Sequence, residues 1–212
     1  MKGISFDGLH SYRDFRLVLA PKEIGSPQVK RYQIEVPGAD GMLDLTDFFG
    51  DAKYENVTHT FEFSLPVPQT ELLYTYQSIK NAIHGKKMRI ILDDDPLFYY
   101  LGRCEVSPLT QEKTIGKLSI VCDCEPYKYK LQQTVFRIDV NGTFTTTIPN
   151  SRMPVVPEIT ATAAMTIQYG GFTWSVAAGT FTLPELELRE GNNEITVTGV
   201  GSVTFTYREG AL

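Results

Sequence analysis

The sequence predicts a mainly β protein with one helix, in which a mixed N-terminal domain precedes an all-strand C-terminal one. Three observations carry this. In "YENVTHTFEFSLPVP", Val57, His59, Phe61 and Phe63 alternate with Thr58, Thr60, Glu62 and Ser64, the period of a half-buried strand. The period then changes: in "TELLYTYQSIKNAIHG", Leu72, Tyr76, Ile79 and Ile83 recur at helical spacing. Beyond Gln133 no helical period survives, and short strand-like segments alternate with turn residues.

Taken in order, "RYQIEVPG" reads as an alternating strand ending in a turn, and the strand at 57–64 is closed by Pro66 and Pro68. The helix is expected over about 70–84, with Thr70 as N-cap and Gly85 as C-cap. The basic turn "HGKKMR" that follows places positive charge where the helix dipole favours it. "MRIILDDDP" and "KLSIVCDCEP" read as strands ended by acids and a proline. After Gln133 come "VFRIDV", "TFTTTIP", "VVPEITATA", "MTIQYGG", "FTWSVAA", "GTFTLPELEL", "NEITVTGV" and "SVTFTYR", which predict an antiparallel β-sandwich. Every lysine lies at or before Lys130 and every cysteine at or before Cys124. That shift in composition divides the chain into expected domains at 1–133 and 134–212.

Composition bounds the function. The chain has 212 residues, 42% hydrophobic and 21% charged, in the range of globular proteins with a sizeable core. A formal net charge of −5 argues against a general nucleic-acid binder, which needs a basic field. No run approaches the roughly 18 apolar residues of a membrane helix, so no membrane insertion is expected. The N-terminus "MKGISFDGLHSYRDF" carries charges where a signal peptide is apolar, so folding in the cytoplasm is expected and the sequons at Asn56 and Asn141 are read as chance. Three cysteines, Cys104, Cys122 and Cys124, suit a reducing compartment and not a disulfide scaffold. Cys122 and Cys124, separated by one residue in "SIVCDCEPY", are read onto opposite faces of a strand, with one or two buried small hydrophobes expected among the cysteines. Cys104, in a strand-like segment, is read as packing and not as a nucleophile.

The chemistry-bearing residues assemble into no catalytic pattern. A zinc site needs about four ligands at workable spacing, and His10, His59 and His84 lie far from the cysteines. Asp93, Asp94 and Asp95 sit consecutively before Pro96, where carboxylates diverge into a solvated turn and do not converge as a calcium loop does. No nucleophile elbow, phosphate loop, dinucleotide fingerprint or zincin motif is present. The expectation is therefore a non-enzyme with no catalytic residue, cofactor or metal. Trp174, the only tryptophan, stands near Tyr169 in "IQYGGFTW", and aromatics at a sandwich surface stack on sugars, although a lone Trp is more often core.

The remaining feature is "VPGADGMLDLTDFF", Val36 to Phe49. Two closely spaced glycine turns redirect a strand, because Gly adopts positive φ without Cβ strain. A segment of acidic and apolar residues follows. The motifs, in order, resemble those of the distal tail protein (Dit) family of long-tailed, non-contractile phages and their prophages. "GISFDGLHSYRDFRLVL" is similar to that family's opening, and "IEVPGADGMLDLT" to its most characteristic run. "YENVTHTFEFSL", the helix ending at Gly85, "DDDPLFYYLGR" and "IVCDCEPYKY" follow in family order. "LREGNNEITVTGVGSVTFTYREG" resembles the closing G-x-N strand pair. Two positions depart from the pattern: Ala39 stands where a basic residue is expected, and Arg16 follows Phe15 in place of Gly.

The resemblance implies a structural protein of the virion tail, assembled in the bacterial host cytoplasm. It implies a split-barrel-like N-terminal domain that forms a homo-hexameric ring, and a galectin-like β-sandwich outside it. The implied partners are the tail tube protein and the tail-associated fibre or lysin protein, with DNA passing through the channel without specific binding. The assembly surface expected on this reading comprises Pro37, Gly38, Asp40, Gly41, Met42, Leu43, Leu45, Phe48 and Phe49. The alternative is a carbohydrate-binding baseplate or adhesin module acting through Tyr169 and Trp174.

Overall fold

The computed structural model describes residues 2–48, 50–112 and 114–212. The fold class is mainly β, as the sequence predicts, and the chain packs as two compact units, Met1–Pro126 and Tyr127–Leu212.

The first unit opens with β1 (Ile4–Phe6) and β2 (Leu9–His10), joined by Asp7 and Gly8. Both turn residues have positive φ, 47° and 90°, which is the two-residue hairpin that follows the right-handed strand twist. A five-residue helix, α1 (Ser11–Phe15), comes next. Its N-cap is His10, whose Nδ1 accepts from the backbone N–H groups of Tyr12 and Arg13. It ends at Arg16 with φ 57° and ψ 20°, so Arg16 adopts the left-handed conformation that a glycine takes more easily. Strand β3 (Val18–Ile24) follows, then the short pair β4 (Gln33–Glu35) and β5 (Met42–Asp44).

Strand β6 (Val57–Leu65) is the alternating strand of the sequence, with Val57, His59, Phe61, Phe63 and Leu65 all buried. Helix α2 (Gln69–Ile83) buries Leu72, Ile79 and Ile83 on the same core, with Tyr76 packed beside them. Thr70 is not its cap. The N-cap position is two residues earlier, at Pro68, just before the first helical residue Gln69, and it makes no side-chain cap hydrogen bond. At the other end the cap is His84, and Gly85 follows with φ 78°. Lys86 donates to the carbonyl of Ala82 at 2.8 Å, a cation at the negative end of the helix.

The unit is completed by β7 (Lys87–Leu92), β8 (Phe98–Val106), β9 (Thr110–Glu112) and β10 (Ile115–Cys124). The sheet runs β2-β1-β7-β8-β10-β6-β3, with β9 beside β10, and these pairings are antiparallel. Cys122 and Cys124 share one face and are both buried, not opposite faces as expected, because positions two apart in a strand point the same way.

The second unit contains β11 (Lys128–Lys130), β12 (Thr134–Asn150), β13 (Glu158–Ala161), β14 (Met165–Tyr169), β15 (Phe172–Val176), β16 (Gly179–Thr182), β17 (Gly191–Tyr207) and β18 (Gly210–Ala211). Two pairs of expected strands are each one strand here. "VFRIDV" and "TFTTTIP" form β12, and the last two segments form β17. Strands β12 and β17 pair without a break over seventeen positions. Gly142 stands opposite Gly199, both at positive φ, and the ladder runs through them without a break. The other edge of β17 pairs β14 and β13 in turn, giving the order β15-β14-β17-β13-β16. The core of this unit includes Ile138, Ile148, Ile159, Ile167, Val197 and Phe205.

Candidate assembly surface

The "VPGADG" turn joins β4 to β5. Ala39 N–H donates to the carbonyl of Val36 at 3.1 Å, with Pro37 next and Gly38 at φ 82°. That is the type II arrangement, which needs positive φ at its third residue. Gly41, at φ 78°, makes the second reversal. A Cβ on either glycine would meet nothing within 4 Å, so backbone conformation alone requires glycine here.

Beyond the turn, Gln33, Ile34 and Glu35 face Asp44, Leu43 and Met42. The ribbon continues: Leu45 N–H donates to the Tyr32 carbonyl at 2.8 Å, Lys30 N–H to Lys53 at 2.8 Å, and Glu55 N–H to Gln28 at 2.8 Å. Its base is a bridge between Val29 and Tyr54. Asp44 and Thr46 pin the strand exit: Thr46 N–H donates to the Asp44 carboxylate at 2.9 Å, and bonds from the Thr46 hydroxyl and N–H hold that carboxyl below its ordinary pKa. Among the described residues, β4 and β5 pair only with each other.

This ribbon is two-faced. Tyr32, Ile34 and Val36 alternate along one strand, and Leu43 stands opposite Ile34 with Leu45 two positions on, all on one face. The opposite face carries Gln33, Glu35, Met42 and Asp44. The apolar face is open to solvent: Tyr32, Ile34 and Leu43 are 55%, 52% and 52% exposed. Phe48, just beyond, is 72% exposed. A lone two-stranded ribbon is marginal in water, and a contiguous exposed apolar face marks an interaction site.

The structure thus brings Pro37, Gly38, Asp40, Gly41, Met42, Leu43, Leu45 and Phe48 into one ribbon and its tip, while Phe49 lies outside the described residues. Tyr32, Ile34 and Val36 were missed as site residues. Their alternation in "RYQIEVPG" was the signal, visible as strand but not as surface.

The other candidate residues are engaged elsewhere. The Tyr169 hydroxyl sits 2.7 Å from the Glu187 carbonyl and 2.9 Å from Asn193 Oδ1, and burial pushes its pKa up. Trp174 packs on the core of the second unit and stacks with Phe172 at 5.7 Å between ring centroids. Phe172, 54% exposed, is the open aromatic of that pair. The acidic run is tied down by hydrogen bonds. Asp93 accepts from Gly3 N–H at 2.7 Å and pairs with His10 Nε2 at 3.1 Å, while Asp94 bridges Lys2 and Lys22 and its pKa is lowered to about 2. His10 is no free base, since its Nδ1 caps α1 while Nε2 faces Asp93. Among the described residues no group of three His, Cys, Asp or Glu is placed to hold a metal ion. No helix among them is long and apolar enough to cross a membrane.

The crystal structure of the SPP1 Dit (gp 19.1) protein, described as a paradigm of the hub adsorption apparatus in phages infecting Gram-positive bacteria, aligns with this chain at a TM-score of 0.72. The alignment covers 98% of this chain and 99% of that one, at 14% identity. The chain has the Dit fold. No protein-family model matches the sequence, and no curated protein matches it. The likeness is one of fold, at a sequence identity of 14%.

Proposed function

We propose that this protein is a structural hub of a phage or prophage tail tip. It assembles into a homo-hexameric ring that links the tail tube to the tail-tip fibre or lysin protein and leaves a channel for DNA. The observation that carries the reading is the Dit fold over essentially the full length of both chains. The exposed apolar face of the 28–55 ribbon supports it from the residues themselves, because a cyclic ring needs head-to-tail contacts between unlike surfaces. The two glycines of "VPGADG" aim the ribbon, and Tyr32, Ile34, Leu43 and Leu45 enter the neighbouring subunit's surface. The net charge of −5 suits a channel through which DNA slides without sticking. The competing reading, a sugar site at Tyr169 and Trp174, draws no support from two rings turned toward the core of their unit.

Negative-stain electron microscopy of the purified protein tests this reading. Sixfold rings with a central channel are expected. A monomer that stays dispersed at tens of micromolar, both alone and with tail tube protein added, refutes it.

A further inference from the structure

Two of the three cysteines stand in a geometry that packing alone does not require. Cys104 in β8 is the direct cross-strand partner of Cys122 in β10, and their sulfurs are 3.1 Å apart. The backbone of Cys104 turns away from β10: its N–H donates to the Lys86 carbonyl at 2.9 Å, and its carbonyl accepts from Gly85 N–H at 2.7 Å. Cys104 and Cys122 therefore form a non-hydrogen-bonded pair, the closer kind, with Cα atoms about 4.5 Å apart. That lies within the range of about 4.4–6.8 Å that a disulfide spans.

The third thiol is set apart. Cys124 faces Gly102 across the sheet, and a Cβ on Gly102 would lie 2.5 Å from the Cys124 sulfur. Its cross-strand neighbour thus offers space and no thiol. Cys122 and Cys124, two residues apart in an extended strand, sit about 6.6–6.8 Å from each other, at the limit of disulfide reach and with nearly parallel Cβ directions.

We infer that Cys104 and Cys122 form a latent cross-strand disulfide, which closes on exposure to a peroxide and staples β8 to β10 inside the first unit. Both thiols are wholly buried. The hydrogen bond to Cys104, and then burial, push the Cys122 thiol up, so the thiolate is scarce and closure is slow, requiring an excess of a small oxidant. In the first step one sulfur, as its thiolate, attacks the O–O bond of hydrogen peroxide. It becomes a sulfenic acid, and the departing hydroxide leaves as water after taking up the thiol proton. In the second step the other thiol attacks the sulfenyl sulfur, the S–S bond forms, and a second water leaves. Two thiols and one peroxide give one disulfide and two waters, with two electrons passing from sulfur to peroxide.

The test treats the full native chain with hydrogen peroxide, quenches, denatures, alkylates free thiols and measures intact mass and peptide linkage. The expected product has lost about 2 Da before alkylation, carries one alkylated thiol, links Cys104 to Cys122, and returns to three free thiols with a dithiol reductant. Cys124→Ser is expected to keep the link and Cys104→Ser to abolish it, with Cys104→Ala as the replacement if the serine variant does not fold. A link through Cys124, addition of oxygen to single cysteines without a link, or three unmodified thiols in folded protein each overturns the inference.

Discussion

Replacing Ile34 and Leu43 together with Ser is expected to dismantle the proposed ring while leaving the subunit folded. Both side chains stand opposite each other on the apolar face of the ribbon, and each is 52% exposed. Full burial of such a side chain is worth about 1.5–3 kcal/mol, so covering the exposed half contributes roughly 1 kcal/mol each, or about 2 kcal/mol per interface. That corresponds to about a 30-fold weaker pairwise contact, and every subunit of a closed ring makes two such contacts. The folded monomer loses little, since surface changes of this kind stay within about 0.5 kcal/mol. Sedimentation velocity across a concentration series reads the assembly, and circular dichroism during melting reads the fold. Gln33→Ala, on the polar face, is the control and is expected to assemble as wild type does. A double variant that forms hexamers at wild-type concentrations refutes the reasoning.

Three further outcomes follow from single positions. Arg16→Gly is expected to stabilise the protein by up to about 1 kcal/mol, because a left-handed non-glycine residue costs about 1–2 kcal/mol and glycine's added unfolded-state freedom returns part of that; a lower urea midpoint than wild type refutes it. Gly102→Ala is expected to cost about 2–3 kcal/mol, since the new Cβ would lie 2.5 Å from the Cys124 sulfur and 2.6 Å from the Asp123 carbonyl oxygen; an unchanged midpoint shows the sheet relaxes freely there. Burial lowers the pKa of His59 from its ordinary 6.5, so the unfolded chain takes up this proton first and the stability it protects is full above about pH 6.5 and falls below it. His59→Gln is expected to flatten that acid limb in urea titrations, and an identical slope for variant and wild type rules His59 out as its source.

What was legible in the sequence tracks how local the determining physics is. Strand β6 and helix α2 each carry their period in five or fewer buried positions, so alternation and helical spacing suffice to find them. Helix α1 is five residues long and capped by a histidine ring, a length and a cap that sequence patterns do not signal. Strands β12 and β17 were split at Gly142 and Gly201, which read as turns; that one ladder runs through both, with Gly142 opposite Gly199 and Gly201 opposite Val140, depends on pairing across some 57 positions of chain. The approach of Cys104 to Cys122 is likewise a matter of register between β8 and β10. The ribbon lies between these cases. Its glycines and apolar residues are plain in "VPGADGMLDLTDFF", yet which of them share a face is not. The six residues from Val36 to Gly41 between β4 and β5 set Ile34 opposite Leu43. That register puts Leu43 and Leu45 with Tyr32 on the apolar face and turns Met42 to the other, beside Glu35. A turn one residue longer or shorter would exchange the two faces of β5 relative to β4, and the continuous apolar stripe would be broken. The two glycine turns thus act by fixing the parity of the ribbon, and the exposed apolar face on which the assembly reading rests exists only at that parity.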